Sequence, residues 1–264
     1  MQFSEYPELK NQVALVTGAA QGIGAAVAQE LCRHGVHVVA LDVQSAVLQA
    51  LHQRLEIGEG QLSTRTIDVR KAQAVEALVD TIEKQTGPIG LLVNVAGILR
   101  MAPVVELSDE DWATSLDVNA TGVFNLTRAV ARRMVPRQAG SIVTVGSNAA
   151  GVPRMQMAAY AASKAAATAL TMCLGLELAQ HKIRCNVVSP GSTDTAMQRM
   201  LWHDETGPQR VIAGSLETFR LGIPLGRIAK PADIANAVVF LLSERARHIT
   251  MHDLRIDGGA TLGA

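Results

Sequence analysis

The sequence predicts a doubly wound α/β fold, with one parallel sheet of about seven strands and helices on both faces. Three observations predict it. Short apolar runs alternate with amphipathic stretches through most of the chain. Hydrophobic residues make up 48% of the 264 residues but aromatics only 3%, so the core has to be built from Ala, Val, Leu and Ile. That composition suits strands buried on both faces. Third, the first apolar run leads directly into a glycine-rich turn and then a helix, an order that makes an anion site at a helix N-terminus.

The elements follow in order. Residues 1–12 are polar and are expected to be loosely ordered up to the first strand, 13–17. Thr17, Gly18, Gln21, Gly22, Ile23 and Gly24 then form a G-x-x-x-G-x-G turn, and the helix after it stops near His34 at Gly35. Glycines there allow close backbone approach to a pyrophosphate, and the helix N-terminus supplies amide donors. A tight structural turn would need the same glycines. The second strand, 36–41, ends at Asp42, 20 residues past Gly22. A carboxylate in that place accepts from the adenosine ribose hydroxyls and repels a 2′-phosphate. Gln21 and Val43 are uncharged, which favours NAD over NADP.

A helix is expected over 45–56, with Val47, Leu48, Leu51 and Leu55 on one face. A strand follows at 63–67, with Asp68 and Val69 at its carboxyl end, and then a helix over 72–86 that Gly87 and Pro88 stop. The fourth strand, 89–95, contains Asn94 and closes on Ala96 and Gly97. Ser108, before three acidic residues, reads as the cap of a long helix reaching about residue 134. Asn119 falls inside that helix, where a buried amide is unfavourable without partners. The fifth strand, 140–145, delivers Ser147. A helix through Tyr160 and Lys164 runs to about 180, and the sixth strand, 183–189, turns at Pro190 and Gly191. The 192–229 stretch is long for a connection and reads as a substrate lid. Pro231 opens the last helix, to about 242, and a strand over 251–256 closes on Asp257.

Ser147, Tyr160 and Lys164 could make one proton-transfer site. Tyr160 and Lys164 are four apart in an Ala-rich helix and share a face. A nearby ammonium favours the phenolate and lowers a tyrosine pKa from about 10. A hydroxyl at a strand end, as at Ser147, can hold a substrate oxygen for that base. A lone Tyr-x-x-x-Lys is more often a surface aromatic beside a helix neighbour; Ser147 and the glycine turn reverse the odds.

Equal numbers of basic and acidic residues, 24 each, leave no basic stripe, so neither nucleic acid nor an anionic membrane is an expected partner. No apolar run approaches the roughly 20 residues that span a bilayer. Cys32, Cys173 and Cys185 have no metal or redox spacing. They read as small buried hydrophobes in a cytoplasmic chain without a secretory leader. His248 and His252 are four apart but lack a third ligand, so no metal is expected.

Together, Thr17-Gly18-x-x-x-Gly22-Ile23-Gly24, Asn94-x-Ala96-Gly97, Asn119, Ser147, Tyr160-x-x-x-Lys164 and Pro190-Gly191 resemble the short-chain dehydrogenase/reductases over nearly the whole chain. Val95 departs from a frequent Asn at that place. The resemblance implies a single Rossmann-type domain over 1–264, with 13–97 mainly binding NAD, 98–189 catalytic and 190–230 the lid. It implies Tyr160 as general base, Lys164 on the nicotinamide ribose, Ser147 on the reacting hydroxyl and Asn119 in a water relay. Asp68 and Val69 would hold adenine, Asn94, Ala96 and Gly97 would line the cofactor, and Thr193 and Thr195 its carboxamide, beside Pro190 and Gly191.

A narrower likeness lies in 152–155, 185–202, 221–226 and 257–264. These stretches resemble the branch that oxidises 2,3-dihydro-2,3-dihydroxybenzoate for catechol siderophores. A carboxylate substrate implies a cation. Arg154, between Ser147 and Tyr160, and Arg199, in the lid, are the candidates; either could instead be a solvated surface arginine. Met155, Met157, Met197 and Met200 could line a pocket for the ring or simply fill core. The resemblance further implies a homotetramer, with the Asn119 and Tyr160 helices packed across subunits, and transient contact with downstream siderophore enzymes. Other readings are a dehydrogenase for another cyclic alcohol or a 3-oxoacyl substrate, and a catalytically silent NAD-binding scaffold.

Overall fold

The computed structural model describes residues 6–55, 58–202 and 204–263, with the side chain of His52 left aside. Strands β1 (Val13–Thr17), β2 (His37–Asp42), β3 (Gln61–Thr66), β4 (Ile89–Asn94), β5 (Gly140–Val145) and β6 (Ile183–Pro190) appear in chain order. Two-residue strands β7 (Gly214–Ser215) and β8 (Arg220–Leu221) make a small antiparallel pair, and β9 (Asp253–Ile256) comes last. Seven of these form one parallel sheet, ordered β3-β2-β1-β4-β5-β6-β9. The order reverses between β1 and β4, and ligands of open α/β sheets bind beyond the strand ends at such a switch point.

Helices α1 (Gly22–Arg33), α2 (Ser45–Gln49), α3 (Leu51–Arg54), α4 (Ala72–Gln85), α5 (Asp109–Leu116), α6 (Gly122–Arg137), α7 (Ala158–Leu178), α8 (Ala196–Arg199), α9 (Gly207–Ala213) and α10 (Pro231–Leu242) fill the connections. Side chains alternate across β1. Ala14 and Val16 join a core with Val27 and Leu31 of α1 and Ile234 and Val238 of α10. Val13 and Leu15 join the opposite core, with Val75 and Val79 of α4 and Leu126 and Val130 of α6. Both faces are thus covered, which is why the central strands read as continuous apolar runs.

Most expected elements are present within a residue or two. Four readings change. The segment before the first strand is ordered over its described part, where Pro7–Leu9 form a 3₁₀ turn and Leu9 is buried in the core. The helix expected over 45–56 is broken at Ala50 into α2 and α3, which leaves Leu48 and Leu51 buried and Val47 partly exposed; its end at 56 lies outside the described residues, as does the start of the N-terminal segment. The long helix capped by Ser108, whose hydroxyl accepts from the Asp111 amide at 3.1 Å, is interrupted by a π turn over Asp117–Thr121. Such single turns cluster at functional sites, and this one carries Asn119. A side chain at Gly122, just after it, would meet the Val69 methyl at 2.5 Å, so the glycine lets the turn pack under the end of β3. Cys173 is exposed rather than buried, while burial pushes the Cys32 and Cys185 thiols up to about 12.

The 192–229 stretch is a closed excursion. Its ends are tied where the Asp194 amide donates to the Ala229 carbonyl (2.8 Å) and the Ala229 amide to the Ser192 carbonyl (3.1 Å). Between them lie α8, α9 and the β7–β8 pair.

Candidate active site

Two adjoining cavities open beyond the carboxyl ends of the strands. The first is lined by the glycine turn from Gly18 to Gly24, by Asp42 and Val43, by Asp68 and Val69, and by 95–98. A side chain at Gly24 would meet the Gly18 carbonyl oxygen at 2.1 Å, and one at Gly18 would meet Ala96 Cα at 2.8 Å. The turn is therefore pressed against both its own helix and the end of β4, and only glycine leaves backbone amides open to a ligand. Thr17 Oγ1 locks that approach by accepting from the Val95 (2.9 Å) and Ala96 (3.1 Å) amides. Asp42 accepts from the Ala20 and Gln44 amides at 3.0 Å each, which orients its carboxylate at the cavity edge. Val43 beside it is 64% exposed and offers no charge. These features fit an adenosine pyrophosphate.

Two expected cofactor contacts look different in place. Asn94 does not line the cavity. Its amide nitrogen donates to Thr127 Oγ1 at 3.0 Å and to Thr144 Oγ1 at 3.4 Å, tying β4 to α6 and β5 inside the core. Alternation along the strand turns Asn94 inward and leaves Val95, the departure from the family pattern, on the cavity wall. Asp68 does line it, but Arg70 grips its carboxylate bidentately (2.7–3.0 Å) and holds it below the usual carboxylate range.

The second cavity has a volume of about 160 Å³ and contains Ser147, Tyr160 and Lys164 together with Gly97, Pro190, Gly191, Thr193 and Thr195. Each residue has a local reason for its place. Ser147 follows the end of β5 and caps a 3₁₀ turn, its hydroxyl accepting from the Ala149 amide at 3.1 Å. Tyr160 and Lys164 lie one turn apart on α7. Thr195 caps α8, accepting from the Gln198 amide at 3.2 Å, and its methyl would lie 3.3 Å from a side chain at Gly22. The α8 cap is thereby set against the glycine turn, and both cavities share it.

Asn119 is fully buried and hydrogen-bonded at both ends of its amide. Its oxygen accepts from the Ile98 amide (2.8 Å), and its nitrogen donates to the Ile98 carbonyl and to Ser163 Oγ (2.9 Å each). Ser163 Oγ in turn donates to the Tyr160 carbonyl at 2.8 Å. The amide thus ties the π turn to the loop after β4 and to the Tyr160 helix. A side chain at Gly97 would meet Asn119 Oδ1 at 3.2 Å and Lys164 Nζ at 3.3 Å, so both polar atoms face one glycine.

The electrostatics differ from the sequence expectation. Burial pushes the Tyr160 phenol upward, and the hydrogen bond from Ser147 only partly opposes it. Burial also brings Lys164 down to about 8, and its ammonium donates to the Val145 carbonyl at 2.8 Å. It stands 5.9 Å from the centre of the Tyr160 ring. Sequence spacing shows that the two can meet, but it carries no measure of desolvation.

The substrate-side residues sort themselves clearly. Arg154 lines the cavity, and burial lowers its pKa against the opposing pull of Asp257. Arg199 does not line it: Asp194 holds it bidentately at 2.6 and 2.9 Å on an exposed surface. Met155 is 54% exposed and Met200 faces solvent, while Met157 and Met197 are in the wall. Arg220, from β8, also lines the cavity and was missed. It sits in the 192–229 excursion without periodicity or a motif of its own, so no sequence signal marks it.

A family model for short chain dehydrogenases matches residues 12–206. A 2,3-dihydro-2,3-dihydroxybenzoate dehydrogenase of Bacillus subtilis is 55% identical over 255 residues, covering 97% of this chain and 98% of that protein. A vibriobactin-specific 2,3-dihydro-2,3-dihydroxybenzoate dehydrogenase of Vibrio cholerae is 48% identical over 255 residues, covering 96% and 97%. Among solved structures, the crystal structure of gox2181 superposes with a TM-score of 0.88 at 31% identity, covering 97% of this chain and 98% of that one.

Proposed function

The chain belongs to the short-chain dehydrogenase family, and we propose that it oxidises 2,3-dihydro-2,3-dihydroxybenzoate to 2,3-dihydroxybenzoate for catechol siderophores, with NAD as its nicotinamide cofactor. One observation carries the reading. A cavity of about 160 Å³ brings the paired Ser147 and Tyr160 hydroxyls together with a half-buried arginine. The arginine suits a ring acid better than a 3-oxoacyl chain or a neutral alcohol. The relatives named for this reaction match nearly end to end, lid included.

In this reading Ser147 Oγ holds the C3 hydroxyl of the dihydrodiol, and Tyr160 Oη takes its proton. The nicotinamide supplies hydride acceptance when bound. The C3–H electron pair leaves as hydride, and the C3 hydroxyl becomes a carbonyl. Loss of the C2 proton then enolises this ketone to the aromatic catechol, and aromatisation draws the reaction forward. Lys164 holds the nicotinamide ribose. Asn119 orients the Tyr160 helix through Ser163, and its closeness to Lys164 across Gly97 supports a water-borne exit for the proton. Gly18, Gln21, Gly22, Ile23, Gly24, Asp42, Asp68, Val69, Ala96 and Gly97 would bind the cofactor, with Thr193, Thr195, Pro190 and Gly191 around its carboxamide. The division into 13–97 for cofactor, 98–189 for catalysis and 190–230 for the lid follows.

Asp42 beside uncharged Val43 supports NAD over NADP. A homotetramer is the expected assembly. An apolar groove between α6 and α7, with Phe124, Val135, Leu170 and Leu174 in its wall, supports packing across those helices. No helix among the described residues is long and apolar enough to cross a membrane. The three free cysteines suit a reducing cytoplasm, where downstream siderophore enzymes would receive the product.

Absorbance of the reduced nicotinamide, followed with NAD⁺ and the dihydrodiol, tests this function. Turnover confined to carboxylated cyclic diols upholds it. Turnover of neutral cyclic alcohols or 3-oxoacyl thioesters at equal efficiency returns the chain to a generic dehydrogenase, and no turnover of any alcohol leaves a scaffold.

A further inference from the structure

The second cavity holds a charge arrangement that proton and hydride transfer do not use. Two guanidiniums line it, Arg154 from the turn after β5 and Arg220 from the lid. They are close enough that, after burial, the Arg154 charge is what further disfavours the protonated form of Arg220. Several arginines elsewhere pair with acids, Arg70 with Asp68, Arg133 with Glu76, Arg137 with Glu83 and Arg199 with Asp194, while Arg184 is held by backbone carbonyls. Among the described residues neither Arg154 nor Arg220 has a carboxylate within ion-pair distance.

The nearest acid is committed elsewhere. Asp257 acts on Arg154 through space, but its Oδ1 accepts from the Gly259 amide (2.9 Å) and its Oδ2 from Thr261 (2.7 Å) and Asn148 (3.3 Å). Arg220 spends one donor on Ser192 Oγ at 2.7 Å. Gln198 lines the same cavity, and its buried amide nitrogen has no partner. Two like charges and an unpaired donor around one partly enclosed cavity are unfavourable until an anion arrives. A planar carboxylate can meet two guanidiniums at once.

We propose that Arg220 is the second half of a carboxylate clamp with Arg154, carried by the lid, so that the substrate's own carboxylate holds the β7–β8 pair against the ring site. The inference rests on the substrate reading above for the ring acid, but only on geometry for the anion. It makes Arg220 a specificity-determining residue. A neutral ring alcohol leaves both guanidiniums unneutralised, and an acid pairs both.

The experiment compares Arg220→Met, Arg220→Lys, Arg154→Met and the double variant. Each is assayed with the dihydrodiol acid and its carboxamide, and by titrating 2,3-dihydroxybenzoate into the protein–NAD⁺ complex. NAD⁺ affinity of each variant reports on the fold. Arg220→Met should lower kcat/KM for the acid by about 10- to 100-fold and weaken 2,3-dihydroxybenzoate binding by a similar factor. The carboxamide should change far less. Arg220→Lys should recover part of the loss as a point charge, and the double variant should lose less than the product of the singles, as a shared ligand requires. Equal losses on acid and amide, or an unchanged 2,3-dihydroxybenzoate affinity in Arg220→Met, would overturn the clamp. Binding of 2,3-dihydroxybenzoate that needs both arginines, in a parent protein that does not oxidise the dihydrodiol, would uphold the clamp and overturn the substrate reading. Oxidation of the dihydrodiol acid by a parent whose Arg220→Met variant is indifferent overturns the clamp alone.

Discussion

The Lys164 ammonium donates to the Val145 carbonyl at 2.8 Å, and stands 5.9 Å from the centre of the Tyr160 ring. The lysine is thereby anchored to the strand that delivers Ser147, while burial governs the tyrosine. Desolvation makes the phenol a weaker acid, so less of Tyr160 stands as phenolate near neutral pH than Tyr-x-x-x-Lys spacing suggests.

This arrangement predicts a cofactor-dependent titration. The chain has only two tyrosines, Tyr6 and Tyr160, so phenolate absorbance can be read against a Tyr160→Phe control. Without cofactor, the Tyr160 signal should appear above the ordinary tyrosine value, as its raised pKa requires. With saturating NAD⁺, whose nicotinamide is cationic, it should move down. Linkage sets the sign: if NAD⁺ prefers the phenolate, its affinity rises with pH between the bound and free pKa values. A titration unmoved by NAD⁺ rejects this route to activation.

Tyr160→Phe keeps the ring and removes the ionisable oxygen. Turnover should fall by roughly 10²–10⁴, with NAD⁺ affinity and the unfolding midpoint near those of the parent. Lys164→Ala should also lose cofactor affinity, because it removes the ribose contact proposed for it. A Phe variant with parent-like kcat excludes Tyr160 as the base.

Cofactor choice should follow residues 42 and 43. The parent should prefer NAD⁺ strongly, and Asp42→Ala combined with Val43→Arg should shift the preference toward NADP⁺. The double variant also loses the Asp42 bond to the Ala20 amide, so the ratio of the two kcat/KM values is the proper measurement. Equal use of both cofactors by the parent would refute the reading of Asp42.

Asn94 should behave as a structural residue. Asn94→Ala takes the amide donor from Thr127, while Thr144 keeps its bond from Thr171, and urea unfolding should show a loss of about 1–3 kcal/mol. The dissociation constant for NAD⁺ should stay near the parent value. A large loss of affinity in a stable variant would restore Asn94 to the cofactor site.

The groove between α6 and α7 is the place to test assembly. Phe124 is 40% exposed there, with Arg128 stacked 4.4 Å over its ring. Phe124→Glu should convert a tetramer into smaller species by sedimentation velocity. A parent that sediments as a monomer, or a variant that stays tetrameric, would place the interface elsewhere.

Local features were legible because their physics is local. Strand and helix periods placed β1, β5 and α10 residue for residue, and the Ser108 cap and Pro231 marked helix starts. A helical turn puts Lys164 beside Tyr160, and a strand end puts Ser147 near them, whatever surrounds them. The Asn119 amide was visible as an oddity within a helix; the π turn that accommodates it depends on Val69 packing against Gly122 from another part of the chain.

The sequence alone thus determined the sheet, the glycine turn, the place of Asp42 at the end of β2 and the nearness of Ser147, Tyr160 and Lys164, each set by spacing within one element or one connection. Tertiary structure decided which polar groups remain available. Asp194 takes Arg199 out of the site, the core takes Asn94, and the 192–229 excursion brings Arg220 to Arg154 across 66 positions of sequence. Burial then set the charges, raising Tyr160 and lowering Lys164. Desolvation and long-range pairing depend on every element around a group, and neither leaves a period or a spacing in the chain.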